Sequence, residues 1–174
     1  GYVNALFITL TYVRNMSIGE AWACSSADCN RFCANLRKKY GQITVVRSIS
    51  AQKDGYPHIH LIVFFKDKLW TVKRHHDAKR HRYSFRLFTY REKQRLAQLW
   101  GHGYVDVEAV YDAEGVSHYV RFNVTDYIQK NVTGETTDNI FDDLSFALNW
   151  IFQKRSFSIS NRDLIPTRCS LLQA

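Results

Sequence analysis

The chain has 174 residues, enough for one domain with a full core and too few for two comfortable ones. Hydrophobic residues make up 45% and charged residues 23%, which excludes disorder as the main state. The net charge is +8 and is unevenly spread. The stretch from Lys66 to Arg95 holds eleven Lys/Arg against Asp67, Asp77 and Glu92, so it carries the whole excess and leaves the rest neutral. The longest uninterrupted apolar run, Leu61 to Phe65, is far too short to span a bilayer, and no secretory signal opens the chain. No linker-like stretch or internal repeat interrupts residues 1–174, which are expected to form a single domain. The first residue is Gly1, and an apolar run follows within a few positions, which suggests a domain taken from a longer protein.

In chain order, Val3 to Val13 is apolar with alternate threonines and reads as a strand. Ser26 is expected to cap a helix running to about Tyr40, with Gly41 ending it. On that helix Cys29, Phe32, Cys33, Leu36 and Tyr40 recur at apolar-stripe spacing, so the cysteines read as core residues rather than zinc ligands. Nothing in the cysteine usage indicates an oxidising compartment, and a cytoplasmic location is expected. Ile43 to Gln52 is a strand, Lys53-Asp54-Gly55 a turn, and Pro57 to Phe65 a second strand that is apolar on both faces and therefore central. The basic block follows, with a strand near Tyr83 to Phe88. Thr89-Tyr90-Arg91-Glu92 forms a capping box for a helix that stops near Gly101. Gly103 to Val110 is a strand, and 116–132 and 139–154 read as helices. The pattern predicts an α+β domain with helices packed on a central, mainly antiparallel sheet.

The sharpest local feature is Pro57-His58-Ile59-His60-Leu61-Ile62-Val63. On a strand His58 and His60 point to one face, where two imidazoles can hold one metal ion. The preceding strand turns Ser48, Ser50 and Gln52 to one side, and a hairpin would lay that polar side beside the histidines. Gln52, nearest the turn, is the first choice for a third, oxygen ligand. Imidazole and oxygen donors suit Mn²⁺ or Mg²⁺. The basic block, with Lys73, Arg74, Lys79, Arg80 and Arg82 interleaved with Trp70, Tyr83, Phe85, Phe88 and Tyr90, suits a polyanion with stackable bases. Farther on, Val116, Val120, Val124 and Ile128 define the buried side of a helix, and Tyr127 falls in the same sector with Lys130 one turn away. Tyr119 lies about 12 Å away along that helix, too far to share a phosphate with Tyr127.

Phe7-Ile8-Thr9-Leu10-Thr11, His58-Ile59-His60 and Tyr127-Ile128-Gln129-Lys130 together resemble the three ordered motifs of HUH endonucleases. They are most similar to the nuclease domains of rolling-circle replication initiators (Rep proteins) of plasmids and viruses. Trp100-Gly101-His102-Gly103-Tyr104-Val105-Asp106-Val107 is similar to a stretch those initiators carry between the second and third motifs. The resemblance implies the HUH nuclease fold, a relative of ferredoxin-like and RRM-like folds. It also implies sequence-specific nicking and joining of single-stranded DNA, at an origin or hairpin, to start and finish rolling-circle replication. His58 and His60 would bind the metal, and Tyr127, aided by Lys130, would form a 5′-phosphotyrosine. A helicase or further domain C-terminal to this one would be a natural partner. Two departures matter. Many relatives carry an acidic ligand where this strand offers Ser48, Ser50 and Gln52, so Glu108 is a fallback for the third position. Asn123 and Asn131 stand one turn either side of Tyr127, so the chain resembles a single-tyrosine member. A single-tyrosine transposase and a non-catalytic basic nucleic-acid-binding module are the competing readings.

Overall fold

The computed structural model describes residues 1–78, 82–110, 140–155 and 157–160. The first strand is split. β1 (Tyr2–Val3) and β2 (Ala5–Thr11) meet at Asn4, where the alternation slips so that Val3 and Leu6 both face the core. α1 (Ile18–Tyr40) begins eight residues before the expected start at Ser26. Ser17 is the true N-cap, closed into a capping box by Glu20, and Gly41 ends the helix as expected. The earlier start brings Ala21 and Trp22 onto the buried stripe of Cys29, Phe32, Cys33 and Leu36. Ser25 is tolerated inside the helix because its hydroxyl donates to the Trp22 carbonyl at 2.8 Å.

β3 (Ile43–Ala51) and β4 (Pro57–Phe65) form the expected hairpin, with Gln52 and Tyr56 closing the turn by an N–H···O=C bond of 2.8 Å. The basic block contains two strands rather than one, β5 (Trp70–Asp77) and β6 (Arg82–Leu87). α2 (Tyr90–Trp100) starts at its Thr89 cap and stops at Gly101. β7 (Val105–Ala109), α3 (Ile140–Ile151) and β8 (Phe157–Ser160) complete the described elements. The helix expected over 116–132 lies outside the described residues, as do Tyr127, Lys130, Lys79 and Arg80.

Among the described residues there are two antiparallel sheets, β7-β2-β4-β3-β8 and β1-β5-β6. β4 is central, as its apolar character requires. One face of the large sheet, with Leu6, Ile8, Leu10, Ile59, Leu61 and Val63, lies against α1 and forms the main core. The other face carries a smaller cluster of Ala5, Phe7, Val46, Ile62 and Phe64 at one end. β8 pairs β3 only over Val45–Ser48; beyond it α3 takes over the edge. There Ser145 Oγ accepts from the Ala51 N–H at 2.8 Å, and Asn149 Nδ2 donates to the Ile49 carbonyl at 3.1 Å. These bonds satisfy backbone groups that an edge strand would otherwise leave unpaired. No described helix is long and apolar enough to cross a membrane.

Gly103 fixes how the α2–β7 connection meets the end of β2. Its φ is +154°, and an added Cβ would lie 2.3 Å from the Thr11 carbonyl oxygen and 2.7 Å from the Val13 nitrogen. Both are backbone atoms, which have no rotamer to yield. Replacing Gly103→Ala should therefore cost about 2 kcal/mol or more of stability, read as a lowered urea midpoint. An unchanged midpoint would show that the connection can move away from β2.

Candidate metal centre and nucleic-acid interface

Residues directly opposite in an antiparallel pair share a face. The register places Thr9 and Ser48 on either side of His60, and Thr11 and Ser50 on either side of His58. The two imidazoles therefore stand on the face opposite α1, with ring centroids 4.3 Å apart. Thr9 Oγ1 and His60 Nδ1 are 3.2 Å apart, and Phe7 stacks on the other side of His60 at 5.6 Å between centroids. When Nδ1 carries the proton and donates to Thr9, the Nε2 lone pair remains for a cation.

Burial disfavours the charged form of both rings. It pushes the His60 pKa down to about 3, with the neighbouring His58 adding to the effect. His58 is lowered as well, by burial first and by the Arg14 guanidinium second. Both histidines are thus neutral at physiological pH, the state that a metal ligand needs. The fit to a divalent cation rests on these two neutral, adjacent, strand-fixed nitrogens.

Gln52 lies just past β3, in an open depression of about 570 Å³ that it lines with Ala51, Lys53, Asp54 and His58. Its Oε1 accepts from Arg14 Nη2 at 3.0 Å, and an amide oxygen has a second lone pair. Arg14 also binds Asp54 Oδ2 through Nε at 2.9 Å and Nη2 at 2.6 Å, and it lies 4.5 Å over the Tyr56 ring. Arg14 carries no signal in the sequence: it is one cation in a loop, and only the fold brings it to the turn. Glu108, the fallback ligand, faces the same side opposite Phe7 and is bound by Arg86 Nη2 at 2.9 Å. Among the described residues no third His, Cys, Asp or Glu joins the pair in a metal-binding group.

The basic block divides by register. Arg74 sits 3.7 Å over the Tyr83 ring on one face of the β5–β6 hairpin, whereas Lys73 lies on the other. Arg82 opens β6 opposite Asp77. The structure thus separates Lys73 from Arg74, which are grouped in the sequence.

A sheet with a histidine pair on its central strand, beside a basic hairpin, defines a candidate metal-dependent nucleic-acid protein. The pattern of the replication-associated protein family of the ORF2 type matches residues 5–132, and the chain belongs to that family. The match covers all three motifs singled out in the sequence. No curated protein and no solved structure matched the chain.

The lowered histidine pKa values set the pH range of metal binding. Protons compete with the cation only where the rings titrate, which is below the ordinary histidine value of about 6.5. Mn²⁺ affinity should therefore stay level as pH falls from 8 to about 6.5 and drop only at lower pH. Calorimetric titration across that range checks this. A fall already complete near pH 6.5 would mean that the rings titrate normally.

Proposed function

We propose that this chain nicks and rejoins single-stranded DNA by transesterification, to initiate and terminate rolling-circle replication. The observation that carries the reading is the pair of neutral imidazoles, 4.3 Å apart on the central strand of a replication-associated protein.

A phosphodiester resists attack because it is anionic and its alkoxide leaves poorly. A divalent cation, Mn²⁺ or Mg²⁺, held by His58, His60 and the Gln52 oxygen would supply polarisation of the non-bridging oxygens. Tyr127 is the nucleophile. Its phenol oxygen bonds to phosphorus as the bond to the 3′ oxygen breaks, which leaves a 5′-phosphotyrosine and a 3′-hydroxyl. Lys130, one turn away on the expected helix, favours the phenolate, since tyrosine at its ordinary pKa of about 10 is a weak nucleophile. The ester retains the bond energy, so attack by a 3′-hydroxyl reverses the step and joins strands. Lys73, Arg74, Lys79, Arg80 and Arg82 hold the phosphate backbone.

Replacing Tyr127→Phe removes one hydroxyl, so folding and DNA binding should survive. Cleavage of a labelled single strand carrying the parent origin should vanish, together with its denaturant-resistant adduct. The wild-type adduct should map by mass spectrometry to the peptide containing Tyr127. An adduct that persists in the Phe variant would overturn the assignment, and a cut without any adduct would mean hydrolysis by metal-bound water. His58→Ala, His60→Ala and chelation should each abolish cleavage, with Mn²⁺ restoring only the chelated wild type.

Neutralising the five basic residues together should reduce the salt slope of single-strand binding by about 0.7 for each phosphate no longer neutralised. A slope equal to that of the wild type would place the backbone-binding surface elsewhere.

A further inference from the structure

The small sheet β1-β5-β6 has one face against the main core, through Trp70, Val72 and Leu87, and one face turned outward. The register assigns the outward positions. Tyr2 is opposite Thr71, and Lys73 is opposite Arg86. Phe88, just past β6, donates its N–H to the Thr71 carbonyl at 2.8 Å and so lies across from Thr71. Tyr2 and Phe88 thus flank Thr71 on a three-stranded surface. Tyr2 is 71% exposed and Phe88 57%. Lys73 Nζ stands 5.9 Å from the Phe88 ring centroid, and His75 is exposed two residues farther along the strand.

This surface is continuous with the histidine face. Arg86 reaches from it to Asp106 at 2.8 Å and Glu108 at 2.9 Å. Asp106 and Glu108 lie opposite Thr9 and Phe7, which pair in turn with His60 and Ile62. A ligand crossing the histidine pair toward β7 would therefore run onto the small sheet without changing sides. Two exposed rings beside a lysine suit a strand that offers both unstacked bases and phosphates. Duplex DNA, whose bases are already stacked, would gain nothing from the rings.

We infer that the outer face of β1-β5-β6 is a stacking platform for single-stranded DNA flanking the cleaved position, with bases on Tyr2 and Phe88 and phosphate on Lys73. Only the placement beside a cleaved position rests on the nicking reading; the binding itself requires no chemistry.

The test is fluorescence anisotropy with labelled oligothymidylate of roughly 30 nucleotides, and with a duplex of the same length, in the Tyr127→Phe background. Tyr2→Ala and Phe88→Ala should each weaken oligothymidylate binding about five-fold or more and leave duplex binding and the salt slope unchanged. Tyr2→Phe and Phe88→Tyr keep the rings and should bind as the parent does. Lys73→Gln should instead lower the salt slope. Ultraviolet crosslinking should map to the peptides holding Tyr2 and Phe88. Unchanged single-strand affinity in a folded Tyr2→Ala, Phe88→Ala double variant would overturn the platform, as would an equal weakening for duplex. If nicking fails in the wild type while the single-strand effects hold, the enzymatic reading falls and the platform stands.

Discussion

β4 is buried on both faces, and this constraint governs what surrounds it. Ile59, Leu61 and Val63 must meet α1, so the period-two geometry sends His58 and His60 to the opposite side with no choice of angle. Once there, the imidazoles lie between β2 and β3, where desolvation makes the protonated form expensive. A one-residue slip in either hairpin partner would exchange Thr9 for Ile8 or Leu10 beside His60. It would also bury polar groups under α1. The core therefore holds the site in register, because every apolar contact below the sheet fixes a polar neighbour above it.

The turn between β3 and β4 is secured from three directions. Trp22 Nε1, on buried α1, donates to the Gly55 carbonyl at 2.8 Å; the Tyr56 hydroxyl donates to the Met16 carbonyl; and Arg14 grips Asp54 and Gln52. A turn of this kind would ordinarily be among the more mobile parts of a hairpin. Here its end of the sheet carries His58 and Gln52, and a ligand set is useful only if its members keep their spacing. The Arg14–Asp54 pair is partly exposed, so its value is geometric more than energetic. Arg14 orients the Gln52 amide, since a guanidinium accepts only the oxygen end as its neighbour.

The alternation on β2, β3 and β4 is legible because each strand has one face committed to a continuous core, which leaves an unmistakable period in the residues. The same logic identifies the caps at Gly41, Thr89 and Gly101, where the backbone requirement is local. The start of α1 is harder to read because Ser26 and Ser17 are both plausible caps, and only the reciprocal Glu20 bond distinguishes them. β5 is hidden by Lys73, Arg74, His75 and His76, since a run of four polar residues within one strand lacks apolar alternation. β8 has four residues and pairs along only part of β3, too little for any periodic signal. Arg14 and Tyr2 are illegible for a different reason. Their roles come from long-range pairing, with Asp54 forty residues away and Thr71 sixty-nine away, and no local pattern encodes that.

The position of the positive charge also follows from electrostatics. A polyanion-binding surface needs cations, but cations close to the histidines would repel the metal proposed for that site; Arg14 already lowers the His58 pKa through this repulsion. The chain separates the two demands. The excess charge sits on the small sheet and its flanks, and Arg86, which reaches from there to the large sheet, is matched by Asp106 and Glu108. Arg14 is similarly matched by Asp54. Between the basic block and the imidazoles the field is therefore locally balanced, while the outer hairpin keeps its net attraction for phosphate over a Debye length of about 8 Å. The paired carboxylates on β7 thus serve both sheets: they join the two surfaces mechanically and keep their electrostatics apart.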